Sequence, residues 1–242
     1  AGYTPVEDPE EAALLVINTC GFIEAAREES VDAVLEAGRW KAAAPGRTVM
    51  VAGCLAQRYG DDLAAELPEV DLFVGTSQLG EAVSLLEAPG RVHAAPGNSF
   101  LYSHEDEREP SLGGHMAYVK IAEGCDRPCA FCAVPSIRGA QQSRTVDDVV
   151  AEVRTLTATG VREVSLVAQD LTAYGRDLGE TPRLADLLTA LRDVDTLRWL
   201  RLLYAYPSEV DDRLIQEMAR APVVPYLDVP IQHVDDDVLR RM

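Results

Sequence analysis

The 242 residues are 47% hydrophobic and 26% charged, and 40 acidic against 22 basic side chains leave a formal net charge of −18. This is globular composition with room for one large or two ordinary domains, and no apolar run approaches the roughly 18 residues that span a bilayer. So acidic a chain does not advertise the basic face that tracks phosphates; it suits a basic partner, or simply keeps a protein soluble. Residues 1–5 (AGYTP) are neither basic nor apolar, so no signal peptide is visible and the expected location is the cytoplasm.

The first hundred residues alternate short apolar runs with helical stretches. Residues 13–18 (ALLVIN), 48–52 (TVMVA) and 70–74 (VDLFV) are runs of buried parallel-strand type. Between them, 22–43 carries Val31, Val34, Leu35 and Trp40 at helical spacing, and 57–67 is a second helix ending before Pro68. A third is expected at 77–87, with Leu79, Val83 and Leu86 on one face. This alternation predicts an α/β domain at 1–95 built on a doubly wound parallel sheet. Residues 88–114 hold three prolines and the run Glu105-Asp106-Glu107 with little periodicity, and a linker is placed at 96–114. A second series occupies 115–242, with strands at 117–122, 163–168, 199–204 and 226–229. Its helices are expected at 146–159, 184–192 and 209–220, with another from Asp235. Repeats of this kind predict a partial (β/α) barrel, whose ligands sit at the C-terminal strand ends.

Three of the five cysteines, Cys125, Cys129 and Cys132, fall in one loop after the first strand of the second series, spaced C-x3-C-x2-C. Without a secretory signal this pattern points to metal binding or catalysis before disulfides. Thiolates suit iron–sulfur clusters, zinc or copper(I). Three thiolates leave the fourth iron of a cubane cluster open, and an open position is what a catalytic metal needs. The amino and carboxylate groups of S-adenosylmethionine can fill it, and reductive cleavage of the sulfonium would yield a 5′-deoxyadenosyl radical, chemistry carried by the cofactor. The competing reading is zinc completed by His104 or His115.

Cys20 and Cys54 fall just past the ends of the first two strands, the edge where ligands gather in open α/β sheets. On the residues alone, two buried apolar cysteines are the alternative. Gln169 and Asp170 end the second barrel strand, and Gln232 and His233 the fourth, placed for substrate or cofactor contacts. Phe131 is a candidate for packing on the cofactor's adenine, against a plain core role. Arg201 and Tyr204 are expected to face into the barrel, and Arg144 is a candidate for a forked contact to a carboxylate. No catalytic side chain is singled out.

Lys120-Ile121-Ala122-Glu123-Gly124-Cys125, the cysteine loop, Val134-Pro135-Ser136-Ile137-Arg138-Gly139 and Ser143-Arg144 resemble the radical S-adenosylmethionine methylthiotransferases. Asn18-Thr19-Cys20-Gly21-Phe22-Ile23 and Ala52-Gly53-Cys54 are similar to the motifs of that family's N-terminal domain. One branch modifies tRNA adenosines and another an aspartate of small-subunit ribosomal protein S-twelve. Residues 168–175 (AQDLTAYG), where the tRNA branch usually has Asn after the Gln, resemble the protein-modifying branch. So do Pro135-Ser136-Ile137-Arg138-Gly139 in place of Pro-Tyr-Thr-Arg-Gly, residues 204–207 (YAYP) and residues 227–233 (LDVPIQH).

The resemblance implies insertion of sulfur at the β-carbon of that aspartate, capped as a methylthio group, with one S-adenosylmethionine giving the radical and another the methyl. It implies two 4Fe-4S clusters, one on Cys125, Cys129 and Cys132 and an auxiliary one including Cys20 and Cys54. Phe131, Gln169 and Gln232 are the expected cofactor contacts, and a flavodoxin or ferredoxin-like protein the expected reductant. The implied substrate is a basic ribosomal protein, which gives the acidic charge a meaning; tRNA is disfavoured and no membrane is involved. The alternatives are the tRNA adenosine branch and a non-catalytic zinc or Fe–S scaffold. The family's third N-terminal cysteine belongs to a strand and loop expected before residue 1, and the last barrel strands and a small β-barrel module are expected after residue 242. The auxiliary cluster is therefore expected to be labile or absent in this chain.

Overall fold

The computed structural model describes residues 2–108, 114–179 and 183–242. It divides into two compact units, Ala1–Phe100 with Ala133–Gly139, and Leu101–Cys132 with Ala140–Met242. In the first unit β1 (Leu14–Thr19), α1 (Glu24–Ala42), β2 (Thr48–Gly53), α2 (Cys54–Glu66), β3 (Leu72–Val74) and β4 (Val92–His93) follow in order. The strands form one parallel sheet in the order β1-β2-β3-β4. Alternate residues of a strand face opposite sides. Val49, Val51 and Phe73 accordingly pack with Val34, Ala37 and Trp40 of α1 and Ala56 of α2. Met50, Ala52, Leu72 and Val74 pack on the other side with Leu79, Ala82 and Leu85. Burial on both faces is why these strands read as unbroken apolar runs.

The helix expected at 77–87 is instead two 3-10 turns, Thr76–Glu81 and Ser84–Leu86. Gln57 Oε1 accepts from the Ser77 amide at 3.2 Å and from its hydroxyl at 3.2 Å, a local polar competitor of the helical ladder. Gly80, poor in helices, lies where a Cβ would be 2.6 Å from the Phe100 ring. The strand β4 falls inside the stretch expected to be irregular, and two residues carry no periodicity. The segment Ala133–Gly139, which contains α3 (Val134–Arg138), joins this unit and not the second. Thr76 Oγ1 donates to Ile137 O at 3.2 Å and the Ser99 amide to Arg138 O at 3.0 Å.

The second unit holds β5 (Met116–Lys120), β6 (Ala122–Glu123), β7 (Gln142–Ser143), α4 (Val146–Ala158), β8 (Glu163–Val167), α5 (Leu184–Leu191), β9 (Trp199–Leu203), α6 (Asp212–Met218) and α7 (Asp236–Leu239). β5, β8 and β9 form a parallel sheet in that order, with Met116 opposite Glu163 and Glu163 opposite Trp199. Val119, Val164, Leu166, Leu200 and Leu202 pack with Val149 and Val153 of α4 and Leu187, Leu188 and Leu191 of α5. Side-chain caps start α4 (Thr145 to the Asp148 amide) and α6 (Asp211 to the Leu214 amide). The strand expected at 226–229 does not form. Leu200 pairs upstream, accepting from the Val224 amide and donating to Pro222 O, both at 2.9 Å. Pro225 and Pro230 flank the expected run and lack the amide a ladder needs.

β5 is an edge strand, and two guanidinium groups occupy its carbonyls. Arg108 donates to Tyr118 O and Arg144 to Lys120 O, both at 2.9 Å. Both also pair with Glu152 of α4, and Arg144 pairs with Asp148, which accepts from the His104 amide at 2.8 Å. Filling an edge in this way blocks strand addition. Burial alone would raise the Asp148 carboxyl, but Arg144 and His104 hold it below its ordinary 3.8.

Glu152→Ala leaves Arg144, with a side chain only 2% exposed, short of a partner and should cost about 3 kcal/mol in urea unfolding. Because the folded Asp148 pKa is depressed, its contribution is fully present above 3.8 and is lost as pH falls through the lower folded value. Unfolding free energies at about pH 5 and about pH 3 should therefore differ less in Asp148→Asn than in the wild type.

Candidate functional site

The cysteine loop leaves β6 through Gly124, whose φ of 77° is left-handed backbone that suits glycine. Cys125 is buried, and Cys129 and Cys132 are half-buried; none of the three is in a disulfide. The Cys132 amide closes a turn onto Cys129 O at 3.0 Å, the Arg127 amide donates to Cys125 Sγ at 3.4 Å, and the Ala130 amide donates to Met242 O at 2.7 Å. Burial pushes the Cys125 thiol up, and Asp170, Cys132 and Cys129 add to the rise, so both other thiols lie within electrostatic reach of Cys125. Tyr204 shares this environment. Its phenol is raised by burial and by all three thiols, against a hydrogen bond with Gln232. Tyr204 (φ 76°) and Gln232 (φ 62°) are the non-glycine residues with positive φ among the described residues. Strained backbone of this kind costs about 1–3 kcal/mol and is held only by its surroundings.

Beside the loop, Gln169 Nε2 donates to Glu123 Oε1 at 2.9 Å, and Glu123, 1% exposed, also pairs with Lys120. The Gln169 Oε1 atom is buried with no partner among the described residues. The same holds for both side-chain polar atoms of Gln141, whose amide donates to Asp126 in the loop at 3.1 Å, and for Arg127 Nη2. Leaving such groups unmet costs about 1–3 kcal/mol apiece. Their presence around three soft sulfur ligands fits a cluster together with a polar small molecule.

Asp170 is 1% exposed and its carboxylate is taken up by Arg127, Thr172 and Ala173, so it holds protein structure where the sequence suggested a substrate contact. Phe131 is 53% exposed, which leaves its ring available and not in the core. His233 Nδ1 accepts from the Asp235 amide at 3.0 Å. Arg201 lies on the sheet face away from α4 and α5, paired with Glu163 at 2.5 Å. Of the two histidines considered as zinc ligands, His104 is paired with Asp148, and His115 precedes β5 while the thiols follow its other end. Among the described residues no three His, Cys, Asp or Glu side chains are gathered for a single metal ion.

In the first unit the register places Thr19 opposite Gly53, so Cys20 and Cys54 come next beyond adjacent strand ends. The turn after β1 and the start of α2 touch through backbone. A Cβ on Gly21 would lie 2.6 Å from Cys54 O, and one on Gly53 (φ 105°) 2.8 Å from Thr19 O. Arg58 donates to Gly21 O at 3.0 Å and Ser30 Oγ accepts from the Cys20 amide at 3.2 Å. Both thiols are half-buried and free. A cavity of about 620 Å³ opens beside α2, lined by Glu24, Glu28 and Asp32 of α1 with Arg27, Leu55 and Tyr59. The sequence offered no sign of Arg127 as a site residue, because its partners Asp170 and Glu209 stand 43 and 82 residues away.

The family model described as Radical SAM superfamily matches residues 119–242, and that of Uncharacterized protein family UPF0004 matches residues 1–75. The ribosomal protein uS12 methylthiotransferase RimO of Anaeromyxobacter sp. (strain Fw109-5) is 51% identical over 100% of this chain and 52% of its own length. The protein of the same name from Myxococcus xanthus (strain DK1622) is 47% identical over 100% of this chain and 51% of its own. The chain thus spans about half the length of the curated relatives it matches. Among solved structures, the radical S-adenosylmethionine methyltransferase TsrM from Kitasatospora setae, with tryptophan substrate and aza-SAM bound, aligns with a TM-score of 0.66 at 15% identity. The alignment covers 94% of this chain and 50% of that one, and shows a shared fold.

Gly53→Ala forces a Cβ onto Thr19 O in backbone that is essentially glycine-only. It should cost about 2 kcal/mol in chemical denaturation, whereas Gly46→Ala, with nothing within 4 Å of its Cβ, should cost less.

Proposed function

The chain belongs to the radical S-adenosylmethionine superfamily, and from that membership we propose that it is the greater part of two domains of a methylthiotransferase acting on an aspartate of ribosomal protein uS12. The observation that carries this reading is the three-thiol loop after β5 and β6, with buried polar atoms lacking partners on Arg127 in the loop and on Gln141 and Gln169 bonded next to it. The names borne by relatives up to 51% identical over the whole chain supply the substrate.

Cys125, Cys129 and Cys132 would hold a 4Fe-4S cluster as thiolates. With S-adenosylmethionine bound, that group supplies one-electron chemistry able to open an unactivated C–H bond. Gln169 offers an unmet acceptor and Gln141 an unmet carboxamide toward the cofactor's polar groups, while the exposed Phe131 ring suits its adenine. Gln232 would act beside Tyr204, whose phenol it hydrogen-bonds within electrostatic reach of the three thiols. Cys20 and Cys54 would give two ligands to the auxiliary cluster, and the close approach at Gly21 and Gly53 keeps the turn after β1 against the start of α2. A net charge of −18 favours a basic ribosomal protein over tRNA, and a ribosomal substrate places the work in the cytoplasm. A flavodoxin or ferredoxin-like donor would supply the electrons.

The test is the full-length, reconstituted enzyme offered uS12 and tRNA in parallel and read by mass spectrometry. A methylthio group on uS12 is expected; one on tRNA alone overturns the proposal. In the present chain Cys125→Ala should remove about four irons and abolish reductive cleavage of S-adenosylmethionine, and zinc bound without sulfide would instead support a scaffold.

A further inference from the structure

Arg127 sits inside the cysteine loop, two residues from Cys125 and two from Cys129. Its Nε donates to Asp170 Oδ2 at 2.7 Å and its Nη1 to Glu209 at 3.1 Å, and the guanidinium lies over the Tyr206 ring, 4.2 Å from the centroid. Glu209 is paired in turn with Arg176. On the far side of Asp170, Oδ1 accepts from the Thr172 amide at 3.0 Å and from the Thr172 hydroxyl. That hydroxyl accepts from the Tyr206 amide at 3.2 Å. The contacts close on themselves, running from Arg127 to Asp170, Thr172, Tyr206 and back to Arg127. They join the loop after β6, the turn after β8 and the turn after β9.

We infer that Arg127 is a positioning residue, fixing the cysteine loop through this circuit so that Cys125 and Cys129 are preset before any cluster arrives. The inference rests on reading the three thiols as cluster ligands. The bonds within the loop run over only two or three residues, and its ties to Gln141 and Met242 do not reach the turns after β8 and β9. Arg127 does, because one planar fork reaches a carboxylate on each side and stacks on an aromatic face at once. A lysine ammonium is a single point charge and makes at most part of that set. Asp170 cannot act alone, since a buried carboxylate stripped of its cation is costly. The circuit is thus specific to an arginine at position 127 and sensitive to the uncharged hydroxyl of Thr172.

Arg127→Gln, Arg127→Lys and Thr172→Val are to be compared with the wild type in two arms. The first follows amide hydrogen exchange at residues 125–132 in metal-free protein. The second follows loss of iron to a chelator and the electron paramagnetic resonance spectrum of the reduced, reconstituted protein. Loss of charge-assisted bonds should speed loop exchange and iron loss about tenfold or more in Arg127→Gln, with exchange in α4 and β8 unchanged. Arg127→Lys should recover part of the protection. At equal iron loading the resonance spectrum should broaden, which a purely global loss of stability would not produce. If Arg127→Gln melts as a whole, Thr172→Val, close in shape and neutral, carries the same comparison. Loop exchange and iron loss equal to wild type in both variants overturn the inference and leave the cluster reading intact. A wild type that never takes up iron overturns the cluster reading, and the metal-free arm still decides whether Arg127 fixes the loop.

Discussion

Parallel pairing of β5, β8 and β9 is the constraint from which the site follows. With one face buried against α4 and α5, the strands run in one direction and deliver their following loops to a single edge. Residues 124–132, 169–172 and 204–209 therefore meet although up to 82 residues separate interacting partners. The first unit repeats the arrangement with β1 and β2, whose next residues carry Cys20 and Cys54. Each unit thus brings its thiols just beyond the C-terminal ends of its parallel strands, the edge where ligands gather in such folds.

The paired charged groups of the second unit serve geometry more than stability. Glu152 between Arg108 and Arg144, and Arg127 between Asp170 and Glu209, are buried or half-buried pairs. Desolvation offsets much of what such pairs gain, while removing one partner is expensive. Their effect is to hold a position: the β5 edge in one case, the cysteine loop in the other. The unmet polar atoms of Gln141, Gln169 and Arg127 are the complementary sign. A folded chain tolerates few such groups, and here they are concentrated beside the thiols.

Much of this was legible in the sequence. Val49 to Ala52 are buried on both faces of a parallel sheet and so spell an apolar run, and α4 shows its core stripe at helical spacing. Where local chemistry overrode the pattern, reading failed. The turn at Thr76 gives up its helix to Gln57 and Gly80, and prolines empty the strand expected at 226–229. β4 was too short to signal.

For the site, the sequence alone singled out the candidate ligands, because three cysteines at C-x3-C-x2-C point to metal chemistry through their spacing along one loop, and two more follow the ends of consecutive strands. Composition alone determined the net charge of −18, which attracts a basic partner at long range. Only the tertiary structure decided which neighbours act on those thiols. Asp170 turned out to be a buried anchor and Phe131 an exposed ring. Arg127 became the tie between three strand ends, since hydrogen bonds reach about 3 Å in space and are blind to separation along the chain.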